Sequence, residues 1–414
     1  MAHLEQVSKF ALLRYVAKWS TLAVLVAGLA GSASALFLFA LEWATQTRDV
    51  NRWLIWGLPL AGFCVGWLYL QFGQHVEAGN NLLIDEIHDP QKVVPLRMAP
   101  FVLAGTVISH LFGASVGREG TAVQMGGALA DQLTHFLKLN AADRRMVLMA
   151  GISAGFASVF GTPLAGAVFA LEVLAIGRMR LDALLPCVIA AVLADQVGQW
   201  WGVQHTLYNM GAVPPITAWL LMAMVLAGAL FGWTAKWFAD GTHALSALMK
   251  KHIAYAPLRP LLGGAVIATA VMWGNFDRYI GLGIPVMEEA FTHSLAPTDF
   301  LGKMVFTIAS LGSGFKGGEV TPLFYIGATL GNALAPLLDV PFALLAGIGF
   351  VAVFAGAANT PIASTLMAME LFGAEFGVFA CLACVMSYVC SGHSGIYRAQ
   401  RVAHRKAHTP AQPS

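Results

Sequence analysis

The chain alternates long apolar runs with short polar breaks. Residues 20–44, STLAVLVAGLAGSASALFLFALEWA, carry a single charge, Glu42, and exceed the roughly 20 residues needed to cross a bilayer as a helix. Further apolar stretches fall near 53–72, 95–116, 144–176, 183–203, 214–238, 259–274, 300–312, 321–337, 341–372 and 374–390. Several exceed one crossing and several fall short, and glycine (43) and proline (18) interrupt them repeatedly. The pattern predicts about a dozen or more helices, some broken or re-entrant, with their free backbone ends buried in protein. The expected class is an all-α polytopic membrane protein, and broken helices of this kind are characteristic of transporters.

Composition sharpens this. The hydrophobic fraction is 57% and charged residues are 11%, against about 45–50% and a quarter in soluble domains; mean hydropathy is +0.68. A soluble chain of 414 residues could not build a charged surface from so few charges. Lys9, Arg14 and Lys18 precede an apolar run too long for a secretory signal, so Gly28, Gly31, Ser32, Ala33 and Ser34 read as a helix-packing face. Arg398, Arg401, Arg405 and Lys406 follow the last run. Basic residues at both ends place both termini in the cytoplasm, and a basic tail beside a membrane span reads as topogenic rather than as a nucleic-acid site. Cys64, Cys187, Cys381, Cys384 and Cys390 all lie in apolar segments, where structural thiols are expected.

The apolar pattern also repeats. GREGT at 117–121 returns as GGEVT at 317–321, with Gly127-Ala128 matching Gly327-Ala328 in the same register. GTPLAGAVFALE (161–172) then matches NTPIASTLMAME (359–370) through Thr162-Pro163, Ala165, Ala170, Glu172 and Thr360-Pro361, Ala363, Ala368, Glu370. Two ordered blocks at nearly one offset indicate a duplicated half. The boundary falls near 205, giving halves of about 14–205 and 206–400 within one integral domain and a short tail, 401–414. Residue matching leaves open whether the halves are inverted or parallel. Binding sites in such folds lie at the repeat interface, on discontinuous helices.

Each motif breaks one helix and starts another, which leaves free N–H groups and a positive dipole end, a combination that binds anions. Gly117, Arg118, Glu119, Gly120 and Thr121 form the first such start; Glu319, Val320 and Thr321 form the second, with Pro322 tolerated in its first turn. Gly79-Asn80-Asn81 offers a third, with Asn80 or Asn81 as N-cap and amide donor. Glu119 is the expected functional residue: ionised, it competes with an anion for N–H groups, and protonated, it can leave and carry a proton. The alternative is a structural pair with Arg118, although adjacent residues face each other poorly on a helix. Glu172 and Glu370 read as structural caps, Lys316 as a solvent or vestibule charge, and His110 as a satisfied packing residue. The twelve histidines show no metal-ligand spacing, and neither a metal nor an organic cofactor is expected. No acid–base or nucleophile constellation suggests an enzyme.

These motifs resemble the CLC chloride channels and proton-coupled antiporters: GREG before one helix, GGEVTP opening another, GTPLAG, and a tyrosine near the C-terminus. The resemblance runs from about residue 14 to 406. It implies an inverted two-half fold and a homodimer with one pore per subunit. It also puts Glu119 on the external gating glutamate, Gly79-Asn80 where chloride-selective members have Gly-Ser, and Tyr397 on the tyrosine closing the inner side, with Tyr388 nearby. Three departures are informative. Thr121 replaces proline, GGEVTP replaces GGIFAP so that Glu319 and Thr321 stand beside the anion path, and Val173 occupies the place of the inner proton glutamate. The set is similar to the fluoride-exporting branch. It implies a proton-coupled fluoride exporter conferring fluoride resistance in a bacterial inner membrane, with fluoride, protons and lipid as partners. A chloride/proton exchanger or passive chloride channel is the alternative.

Overall fold

The computed structural model describes residues 9–206, 208, 210–211 and 213–406; the end of the expected tail, 407–414, lies outside them. The described residues form sixteen α-helices, eight before residue 206 and eight after it. The two sets run in the same order. Lys9–Val50 corresponds to Ala218–His252, Leu58–Phe72 to Leu258–Gly274, Asn80–His88 to Ile284–Thr292, and Met98–Leu111 to Asp299–Ser313. Glu119–Phe136 corresponds to Val320–Leu338, Ala141–Phe160 to Phe342–Ala358, Pro163–Glu172 to Pro361–Phe372, and Leu184–Trp200 to Gly377–Cys390. The duplication read from two motifs therefore extends through the whole architecture.

The long apolar runs break where their chemistry requires it. The 144–176 run splits at Gly161, which takes the left-handed conformation (φ +69°) to end one helix, and Pro163 starts the next at a position that needs no N–H donor. Its counterpart splits at Asn359 (φ +58°) before Pro361. Only five described helical spans are long and apolar enough to cross a membrane by themselves, and six further apolar helices are shorter, as the uneven run lengths foretold.

Two short helices fix the relation between the halves. Glu172, at the end of Pro163–Glu172, accepts the Ile362 and Ala363 N–H groups (3.1 and 2.8 Å) at the start of the other short helix. Glu370 returns the arrangement, accepting from Leu164 and Ala165 (both 2.8 Å). Each C-terminal carboxylate satisfies the other helix's orphan N-terminal donors, so the two helices run antiparallel. Both glutamates are caps, as expected, and the repeat is locally inverted.

The core between the halves is aromatic: Phe160 meets Phe324 (centroids 5.2 Å apart) and Phe169 stacks on Phe354 (6.0 Å). The small-residue face of the first helix is real but narrower than expected. Gly31 abuts Ala194 and Val197, Ser34 meets Ser158, and Ser32 accepts from Trp201, whereas a Cβ on Gly28 would meet no packed neighbour within 4 Å. A two-residue parallel pairing of Ala175–Ile176 with Arg401–Val402 is a small exception to the all-helical expectation and ties the tail to the end of the first half. All five cysteines are free thiols.

Candidate functional site

The two copies of the motif meet. Gly117 N–H donates to Gly318 O (2.6 Å) and Gly318 N–H to Gly117 O (2.7 Å), an antiparallel bridge of one residue from each half. A Cβ on Gly318 would stand 2.9 Å from Gly120 N, closer than packing allows, so only glycine lets the two backbones approach. The bridge brings the starts of the Glu119–Phe136 and Val320–Leu338 helices to one point.

Glu119 is fully buried there. Its Oε2 accepts from the Thr321 N–H (3.0 Å) and the Arg118 N–H (3.2 Å), and its Oε1 from the Thr321 hydroxyl (2.5 Å). The carboxylate thus lies at the start of the opposite half's helix, where free N–H groups favour a negative charge. Arg118 also lies against it, Nε to Oε1 at 3.4 Å. This corrects the geometric objection to a neighbour pair: Arg118 precedes the helix as its N-cap, so the rule for residues within a helix does not apply.

Asn80 supplies the third start, but not as a cap. Gly79 is the N-cap (φ +60°), no side chain caps the helix, and Asn80 is its first residue. Asn80 Oδ1 is buried without a hydrogen-bond partner, while its Nδ2 lies 3.0 Å from the position a Cβ on Gly120 would take. Asn81 is already engaged, its Oδ1 accepting the Ala399 N–H at 2.9 Å. An anion would meet the amide N–H groups, and neither Asn80 Nδ2 nor Asn81 Nδ2 donates to another described residue.

Two cavities flank this junction. One, of about 650 Å³, is lined by Asn80, Gln124, Lys316, Glu319 and Tyr397, with Lys250, Arg259 and Arg398 toward the face that carries the tail. Basic side chains outnumber Glu77 and Glu319 along its wall, which favours anions. The other, of about 20 Å³, is lined by Arg118, Glu119, Thr321, His205 and Tyr208 among others, room for one water-sized species. Glu119 lines only the small cavity and Glu319 only the large one.

The remaining expected residues divide. Tyr397 is buried, edge-on to Phe169 at 6.4 Å, and lines the large cavity; Tyr388 instead packs against the Lys406 ammonium. Val320 is buried at the first turn of its helix. Thr121 lines neither cavity, because its hydroxyl bonds Thr106 Oγ1 at 2.7 Å. Lys316 does not simply meet solvent: its ammonium stands 4.1 Å over the Tyr69 ring at the cavity wall. His110 is only half satisfied, with Nδ1 on Thr106 O (2.9 Å) and Nε2 unpartnered. Lys250 and Arg259 escaped the sequence reading, and Gln124, legible as a polar residue one turn after Gly120 on the same helix face, was not among the expected site residues. Among the described residues no three His, Cys, Asp or Glu converge as metal ligands.

Residues 61–392 match the family model described as voltage gated chloride channel. A chloride/fluoride channel protein of Pseudomonas syringae pv. tomato is 66% identical, covering 98% of this chain and 92% of the relative. An H(+)/Cl(-) exchange transporter of Vibrio parahaemolyticus is 27% identical over 89% of this chain and 86% of its own. Among solved structures, a CLC-type fluoride/proton antiporter superposes with a TM-score of 0.91 at 33% identity, covering 96% of this chain and all of that one. With the bridged motifs, the inverted helix pairs and these likenesses in place, the chain belongs to the voltage gated chloride channel (CLC) family.

Proposed function

We propose that this protein exports fluoride from a bacterial cytoplasm in exchange for inward protons, and so confers fluoride resistance. The observation that carries the reading is the Glu119 carboxylate held by the N–H and hydroxyl of Thr321, where it stands in for an anion. A proton removes the charge that holds it. The side chain then leaves the seat with its proton, and a fluoride arriving past Asn80 takes the same donors. One residue thereby gates the anion and carries the proton. Val173 stands where an inner proton glutamate would follow Glu172, so Glu319, on the wall of the large cavity, serves as the inner proton acceptor.

Fluoride is small and strongly hydrated, and needs strong, close donors in place of water. The Asn80 amide, the Thr321 hydroxyl and the backbone N–H groups of Gly120 and Val320 supply them. Tyr397 narrows the inner end. The likeness to the fluoride/proton antiporter structure and the name of the Pseudomonas relative support fluoride as the substrate. We assign the whole chain to one integral domain, working as a transporter rather than an enzyme. It forms a homodimer with one path per subunit in the inner membrane, both termini cytoplasmic and the large cavity opening inward.

The test is direct. Purified protein in liposomes loaded with equal fluoride and chloride is followed with ion-selective electrodes while external pH is recorded. Fluoride efflux far above chloride, with protons moving the opposite way, is the expected result. Comparable chloride flux would assign the protein to chloride/proton exchange, and fluoride flux without proton movement would make it a channel.

A further inference from the structure

The face of the Glu119–Phe136 helix that turns toward Asn80 carries a second carboxamide. Gln124 lies four residues beyond Gly120, hence on the same side one turn further along. It lines the large cavity together with Asn80, Lys316 and Glu319. The two amides cross-pack on bare backbone. Asn80 Nδ2 is 3.0 Å from where a Cβ on Gly120 would be, and Gln124 Oε1 and Nε2 are 3.2 and 3.3 Å from where one on Gly79 would be. Gly79 (φ +60°) is thus required both for its conformation and to leave room for Gln124.

Gln124 makes no side-chain hydrogen bond to another described residue, and its amide is not among the atoms sealed from solvent. Its two N–H donors and its carbonyl therefore face the cavity. A carboxamide with unused donors, lining the same basic cavity as the Asn80 amide, is chemically fitted to replace water on a small hard anion. We propose that Gln124 is a further determinant of anion transport: its N–H group takes the ion from the vestibule and passes it to Asn80, replacing one water of hydration before the ion reaches Glu119. This rests on the fluoride/proton reading above.

Two variants separate donation from packing. Gln124→Glu keeps the shape against Gly79 but replaces the donor by an acceptor that is ionised at neutral pH. Gln124→Met keeps the length and removes the polar group. Both are reconstituted after checking that they elute as the wild type does, and the fluoride dependence of efflux and the proton-to-fluoride ratio are measured. Loss of a hydrogen bond to a charged species predicts roughly a tenfold rise in the fluoride concentration for half-maximal flux in Gln124→Met. Gln124→Glu should lose more, and recover as the internal pH is lowered and the carboxyl regains a donating O–H. The ratio should stay at the wild-type value in both, because Glu119 is untouched. Wild-type fluoride dependence in Gln124→Glu would overturn the inference and leave Gln124 as packing for Gly79. Wild-type protein that carries no fluoride would overturn the functional reading, and this one with it.

Discussion

Thr321 holds the Glu119 carboxylate by two atoms at once, its backbone N–H at 3.0 Å and its hydroxyl at 2.5 Å. The two residues come from opposite halves of the chain. The grip is double because a helix start offers a free N–H and a side-chain oxygen on the same residue. Glu119→Gln keeps the size but cannot alternate between charged and neutral forms. We expect fluoride flux without opposing proton movement, read by the paired electrode and pH recording. Thr321→Val retains the N–H alone, and its proton-to-fluoride ratio should fall as the loosened carboxylate lets anions slip. An unchanged ratio in both variants would remove Glu119 from the coupling step.

The reciprocal caps make a different forecast. Glu172 and Glu370 each satisfy two N–H groups of the other's helix. Loss of a helix cap costs about 0.5–2 kcal/mol, so Glu172→Ala and Glu370→Ala should each lower the melting temperature in detergent by a few degrees. The proton-to-fluoride ratio should not change, since neither residue lines the two cavities around Glu119.

Arg144 is a larger liability. Its guanidinium grips Asp131 through Nε and Nη2 (both 2.7 Å), reaches Glu86 at 2.9 Å and donates to Lys92 O at 2.6 Å. Asp131 is fully buried and Glu86 nearly so. Arg144→Met strands two carboxylates, a loss of about 3–5 kcal/mol for an uncompensated buried charge. Thermal unfolding should show this as a collapse of the folded fraction, while Arg144→Met combined with Asp131→Asn and Glu86→Gln should recover part of it.

Beyond the last span, Lys406 Nζ donates to Asn359 Oδ1 (2.5 Å), Tyr388 O (2.7 Å) and Ser391 Oγ (3.0 Å). Burial pushes this ammonium down from 10.5 to about 7. Between those two values the unfolded chain holds a proton that the folded chain has released, so stability rises with pH across that window. Below about 7 both states are protonated and the burial penalty is fully present. Melting temperatures measured through the window should climb in the wild type, and the climb should flatten in Lys406→Met. Equal slopes would show that the lysine does not titrate there.

Much of this was legible because polar residues in an apolar chain are conspicuous. Gly117, Glu119, Glu319 and Thr321 stand out against their surroundings, and the Thr-Pro blocks revealed the duplication. Pairwise closure was not legible. Nothing in residue 121 shows that its hydroxyl turns back to Thr106, or in residue 81 that its carbonyl oxygen meets Ala399 while that of Asn80 is buried without a partner. Those outcomes depend on contacts 15 and 318 positions apart in the chain, which no local pattern encodes. Residue matching alone left the inversion open; the family resemblance implied it, and the reciprocal caps of Glu172 and Glu370 bear it out.

The Gly117–Gly318 bridge also binds the two halves in their history. Once each copy of the motif had the other as its backbone partner, neither could accept a side chain or shift its register without disturbing both. The copies have nevertheless diverged beside that contact, since Gly318 corresponds to Arg118 and Val320 to Gly120; the constraint lies on the two bridging glycines, which are not repeat equivalents of each other. Two ancestral segments became, at that contact, a single unit of inheritance.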